Sequence, residues 1–117
     1  METRVALIYK IIDANLWEAA QSQLAFKGAG IDLKDGYIHL STADQMHETA
    51  RLHFAGQENL VLVAVDTQSL ANKLKWEASR GGQVFPHIYG VLEISAVVWA
   101  KPLPWNGTTH VFPREAV

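Results

Sequence analysis

The side chains in this sequence with the most chemistry to offer are His39, Glu77, His87 and Tyr89, with Ser41 and Arg80 beside them. His39 lies in the string Tyr37–Ile38–His39–Leu40–Ser41. In an extended chain alternate side chains share a face, so Tyr37, His39 and Ser41 stand together and Ile38 and Leu40 oppose them. His87 and Tyr89 share a face in the same way within Phe85–Pro86–His87–Ile88–Tyr89–Gly90. Gly81, Gly82 and Gly90 flank them and let the backbone approach a ligand closely. Tyr89 supplies a stacking ring with a polar tip. Desolvation by Trp76 raises the pKa of the adjacent Glu77, whereas a nearby Lys75 or Arg80 lowers it. Arg80 reads as a clamp for a carboxylate or phosphate, or as a solvated turn residue. Each of these residues also has a plain structural reading: a satisfied strand imidazole for His39, a partly buried aromatic pair for His87 and Tyr89, a solvated face for Glu77.

Two histidines and a carboxylate are also the ligand types of a facial metal triad, so His39, His87 and Glu77 define a metal-dependent alternative. No short-range spacing supports it. There is no H-E-x-x-H, and His47 and His53 fall on different sides of one helix. The preferred reading assigns no residue to a metal and takes His47, His53 and His110 as helix-surface or loop residues. Ser41 and Ser79 lie in no nucleophile-elbow motif. No glycine-rich dinucleotide or phosphate-loop motif occurs.

The positioning elements follow from periodicity. Arg4–Ile12 is nearly continuous in apolar residues and predicts a buried strand. Asp13 offers an N-cap for a helix over Ala14–Phe26, with Leu16, Trp17, Ala20 and Leu24 on its apolar stripe and Gly28 and Gly30 ending it. Asp35–Gly36 is a turn signal before the strand Tyr37–Ser41. Thr42 with Gln45 forms a capping-box pattern for a helix over Ala43–Ala55, with Met46, Ala50, His53 and Phe54 inward. Asn59–Asp66 is the clearest buried strand. Thr67 caps a short helical turn to Lys73. Leu74–Ala78 alternates as a strand, with Lys75 and Glu77 opposite Leu74, Trp76 and Ala78. Pro86 pushes Phe85 into extended backbone. Val91–Ala100 reads as one further strand, and Lys101–Val117 as a loop-rich tail with a short strand near His110–Phe112. Strand–helix alternation stops after Asp66. The pattern therefore predicts an α+β single domain: a twisted, mostly antiparallel sheet with two main helices, a core over about residues 5–100 and a tail over 101–117.

The 117 residues suit one domain, and 49% hydrophobic with 19% charged residues is a globular balance. The net charge of −2 and the scattered Lys and Arg exclude a DNA-binding surface, which needs clustered phosphate contacts. The absence of cysteine excludes disulfides, thiol catalysis and thiolate metal sites. No signal-peptide pattern and no membrane-length apolar run are present, so a cytoplasmic protein is expected. The oligomeric state is left open.

Ile8–Tyr9–Lys10–Ile11, Trp17, Asp35–Gly36–Tyr37–Ile38–His39–Leu40–Ser41–Thr42, Gln45, Thr49, Phe54, Lys75–Trp76–Glu77 and Gly82–Gln83–Val84–Phe85–Pro86–His87–Ile88–Tyr89–Gly90 resemble the bacterial family called domain of unknown function 952, over about Val5 to Val98. That family is similar in turn to the ADP-ribosyltransferase-like superfamily, and there to the RNA 2′-phosphotransferases, which use NAD. The resemblance implies an ADP-ribosyltransferase-like fold and NAD as a substrate. It places a first-strand string of the Leu-Tyr-His-Gly-Thr type on Ile8–Tyr9–Lys10, and a His-Ile-His-Leu-Ser type on Tyr37–Ile38–His39–Leu40–Ser41. His39 then matches a residue expected to touch NAD. Lys10 stands where the first string has His, and Tyr37 where the second has its earlier His. The length omits the RNA-recognition module of a phosphotransferase.

Several functions stay open. In the first, an enzyme acts on NAD or an ADP-ribosyl group. His39 and Lys10 bind ribose or pyrophosphate, with Ser41 and Arg80 in the same cofactor-binding set. Tyr89 stacks on nicotinamide, Glu77 stabilises the oxocarbenium-like ribose, and His87 orients or deprotonates the acceptor. In the second, a non-catalytic module binds a nucleotide, sugar or small anion in the same pocket. The third is the metal-dependent enzyme. In the fourth, Trp99, Trp105 and Phe112 form a docking surface.

Overall fold

The computed structural model describes residues 6–116, with the backbone alone described at Arg80; Arg4 and Val5 of the predicted first strand lie outside the described residues. Strand β1 (Leu7–Asp13) pairs antiparallel with β4 (Leu60–Asp66), which pairs antiparallel with β8 (Val97–Pro102). Alternation sends Ile8 and Ile12 of β1 and Val63 and Val65 of β4 into one core. Tyr9 and Ile11, with Leu62 and Ala64, enter another. This sheet is thus buried on both faces, which is why both strands read as continuous apolar runs. Helix α1 (Ala14–Gln23) covers the first face with Trp17 and Ala20, and α3 (Ala43–His53) covers the second with Met46 and Ala50.

A second three-stranded sheet has the order β3 (Ile38–His39), β6 (Val84–Ile88), β5 (Leu74–Ala78), again antiparallel. The two sheets meet where Ser41 leaves β3 and exchanges both backbone hydrogen bonds with Tyr9 of β1, each 2.8 Å. A third, two-stranded pairing joins β2 (Ala25–Phe26) to β7 (Leu92–Glu93). The result is α+β with antiparallel sheets. Among the described residues no helix is long and apolar enough to cross a membrane.

Three features differ from the sequence expectation. The first helix stops at Gln23 rather than Phe26, because Leu24 takes φ 63° and turns Ala25–Phe26 into pairing with β7, burying Phe26. That tertiary pairing outweighs a left-handed residue cost of about 1–2 kcal/mol. An additional short helix, α2 (Ile31–Asp35), precedes Gly36, whose φ of 85° ends it. The expected strand Val91–Ala100 is broken by a 3-10 turn at Ile94–Ala96, so β7 and β8 serve different sheets.

Candidate functional site

His39 and His87 are direct cross-strand partners in the β3–β6 register, so both imidazoles leave the same face, with ring centroids 5.2 Å apart. The opposite-parity neighbours Ile38 and Ile88 are buried in the first core. Tyr37 lies against both imidazoles, 4.7 Å from His39 and 4.4 Å from His87, and 5.1 Å from Tyr89. One aromatic plate thus braces the cluster.

Each imidazole is held by carboxylate. His87 Nδ1 lies 2.8 Å from Glu77 Oε1, delivered by the adjoining strand β5. Tyr89 Oη donates to the same carboxylate at 2.9 and 3.1 Å. The bonds from His87 and then Tyr89 hold the Glu77 carboxyl below the usual range, and the bond to Glu77 raises the Tyr89 phenol. An ionised carboxylate only accepts, so Nδ1 carries the proton. His87 is 1% exposed, and its Nε2 is buried with no hydrogen-bond partner among the described residues.

His39 is gripped from α2. Its Nδ1 lies 2.7 Å from Asp32 Oδ1 and its Nε2 3.0 Å from Asp35 Oδ2. Asp32 also accepts from the backbone N–H of His39 and of Ala29, and Lys10 Nζ lies 2.9 Å from its Oδ2 and donates to the His39 carbonyl at 2.8 Å. Burial raises the Asp32 carboxyl, but the Lys10 ammonium and the His39 bonds outweigh it and keep it below the usual range. Burial lowers Lys10, with Asp32 opposing. Lys10 therefore spends its charge inside the protein.

A cavity of ≈ 500 Å³ opens beside this cluster, between β1, β3, β6 and α3. Its apolar wall includes Tyr9, Ile11, Met46, Phe54 and Phe85, and its polar groups include His39, His87, Asp35, His53 and the Ser41–Thr49 hydroxyl pair, 2.9 Å apart. α3 is fixed by its capping box, in which Gln45 Oε1 accepts from Thr42 N–H at 3.1 Å. Gln45 Nε2 also donates to Val84 O at 2.8 Å and so ties the helix to β6.

Of the residues singled out from sequence, His39, His87, Ser41 and Lys10 border the cavity. Glu77 and Tyr89 join through His87, behind it. The Arg80 backbone lies in the 3-10 turn Arg80–Gly82, and its side chain is outside the described residues. Asp32, Asp35 and Thr49 were not anticipated as site residues; Asp35–Gly36 signals a turn, and only its spacing of one helical turn from His39 hints at the contact. His110, expected on a helix surface or in a loop, lies in the tail and is buried there, its Nε2 2.8 Å from Gln57 O. Among the described residues no group of three or more His, Asp or Glu is arranged to hold a metal ion. Both His39 nitrogens and His87 Nδ1 are already engaged. Trp99 packs on buried Tyr9 at 5.9 Å, Trp105 on buried His110 at 4.9 Å and Phe112 on exposed His47 at 4.1 Å, and all three rings are half-buried.

The model of the family described as "Protein of unknown function (DUF952)" matches residues 11–100. The crystal structure of protein CC0527 from Caulobacter crescentus is 47% identical, covering 90% of this chain and 93% of that one, with a TM-score of 0.86. A crystal structure of a double mutant of CC0527 gives 46% identity, the same coverage and a TM-score of 0.86. The solution structure of CC0527 gives 48% identity, 89% and 90% coverage and a TM-score of 0.80. No curated protein matches the chain.

Proposed function

The chain belongs to the DUF952 family, and we propose that its cavity is a small-molecule site in which His87, oriented by Glu77, exchanges a hydrogen bond or a proton with the occupant. The observation that carries this is the pair of carboxylate-held imidazoles in the wall of a ≈ 500 Å³ cavity. Ligand sites are commonly of this size, mostly apolar with a few placed polar groups. A carboxylate behind a histidine fixes its tautomer and ring orientation, so that the other ring nitrogen is presented for a hydrogen bond or a proton transfer. A non-catalytic nucleotide or small-anion module would use the same contacts without turnover.

NAD-dependent transfer on an ADP-ribosyltransferase-like fold is the second reading. It is favoured by Glu77, an ionised and partly open carboxylate beside the Tyr37 and Tyr89 rings. A carboxylate next to a stacking surface suits a nicotinamide ribose. Here Lys10, paired with Asp32, lends no charge to a pyrophosphate.

Titrating nicotinamide, ADP-ribose and NAD, read by calorimetry and backbone amide shifts, separates the readings. Nicotinamide shifts at Tyr9, Met46, Phe54 and His87, with ADP-ribose silent, support the cavity reading. NAD consumption with nicotinamide release, lost in Glu77→Gln, transfers the case to the second. Folded protein that answers none of the three at the cavity refutes both.

A further inference from the structure

Resting on the cavity reading, the geometry points to an occupant with an apolar or aromatic body and an N–H or O–H group that donates to His87 Nε2. The argument is one of unmatched valence. Glu77 accepts from Nδ1 of His87 at 2.8 Å, so in the neutral ring Nε2 at the other corner is bare and can only accept. The ring is 1% exposed, and among the described residues no donor reaches that nitrogen: Ser41 Oγ is engaged with Thr49, and His39 with Asp32 and Asp35. A buried acceptor without a donor is costly, and native proteins rarely tolerate one without a functional reason. His87 borders the cavity, so a guest lying along the Met46, Phe54 and Phe85 wall can supply the missing donor. An isosteric guest that lacks it leaves the nitrogen as it stands. Polarity is thus read asymmetrically: phenols and primary amides fit, and ethers and tertiary amides of the same shape do not.

Two matched probe pairs test this on the full chain: phenol against anisole, and benzamide against N,N-dimethylbenzamide. Calorimetry and amide shifts near Met46 and Phe54 give affinity and location, and ring nitrogen shifts give the His87 tautomer. The expected result is about tenfold tighter binding of each donor-bearing probe, the scale of one satisfied buried hydrogen bond, with Nε2 unprotonated in the free protein. His87→Phe should erase the preference. If that variant fails to fold, the tautomer measurement on the unaltered protein still decides. Equal or reversed preference, or a proton on Nε2 of the neutral ring, overturns the inference and leaves the cavity reading standing. No binding by any of the four probes removes both.

Discussion

Lys10 and Asp32 are both deep in the protein, with side chains 12% and 1% exposed, and each is affordable only because of the other. Removing one partner of such a pair strands a buried charge, at about 3–5 kcal/mol. Asp32→Asn should lose that much in urea unfolding, whereas Asp35→Asn, at the more open end of His39, should lose less than about 1 kcal/mol. Acid dependence follows from the same pair. The Asp32 carboxyl lies lower in the folded chain than in the unfolded one, so its contribution is complete above the unfolded carboxyl range and is lost as pH falls through the folded value. Glu77 is shifted the same way and acts in the same window. Lys10 is lowered on folding, so on the alkaline side stability rises with pH between its folded and unfolded values. The urea midpoint should therefore fall with pH through and below the ordinary carboxylate range, less steeply in Asp32→Asn. Identical acid slopes in the two proteins would count against this account. The lysine was visible in the sequence as a lone charge in an apolar run. Its partner was not, because the sequence analysis assigned Lys10 to a ligand and strand pattern cannot show a pairing with a residue of a distant helix.

Local patterns carried more information at the level of elements. Thr42 and Gln45 announced α3, and the capping box is there. Strand β5 was legible to the residue, because Leu74–Ala78 alternates between a turn and a glycine pair. Helix α2 was missed: with five residues it has no periodic stripe, and Ile31 and Leu33 are exposed. It is held by Asp32 through the Lys10 and His39 contacts rather than by its own apolar face. The break in the final predicted strand was equally hidden, since Val91–Ala100 has no Gly or Pro at the 3-10 turn and its only polar residues, Glu93 and Ser95, keep the alternation of a strand. The consequence for α3 is testable. Because this helix brings Met46, Thr49, His53 and Phe54 to the cavity, weakening its first turn should disturb the site as well as stability. Thr42→Ala should cost about 1 kcal/mol by thermal unfolding, the scale of a lost N-cap, and should alter amide shifts along the cavity wall. A stability loss with unmoved cavity resonances would show that the link from Gln45 to Val84 alone positions the helix.

The face of each strand could be read along the sequence, but its partner could not, and the molecule is assembled by partners. Pairing β3 with β6, far apart in the chain, is what brings His39 beside His87, and the switch of Ser41 onto Tyr9 joins the two larger sheets beside the cavity. The same limit explains the tail. Residues 101–117 have three prolines and little periodicity and read as an appended loop. In the fold, Leu103 and Ala116 lie in the second core with Met46, Leu60 and Leu62, and Leu103 is fully buried with its N–H bonded to Leu60 O at 2.9 Å. The tail thus closes the face of the β1–β4–β8 sheet that α3 leaves uncovered. If it were an appendage, substitutions in it would be nearly neutral. If it is part of the core, Leu103→Ala should destabilise by about 2–5 kcal/mol through lost burial and a residual void. Val111→Ala, at a residue 46% exposed, serves as the comparison within the same tail and should stay within about 0.5 kcal/mol. Denaturant midpoints for the two variants decide it: similar small effects would detach the tail from the core, whereas a large effect at Leu103 alone makes the C-terminal segment a structural wall of the α3 face on which the cavity depends.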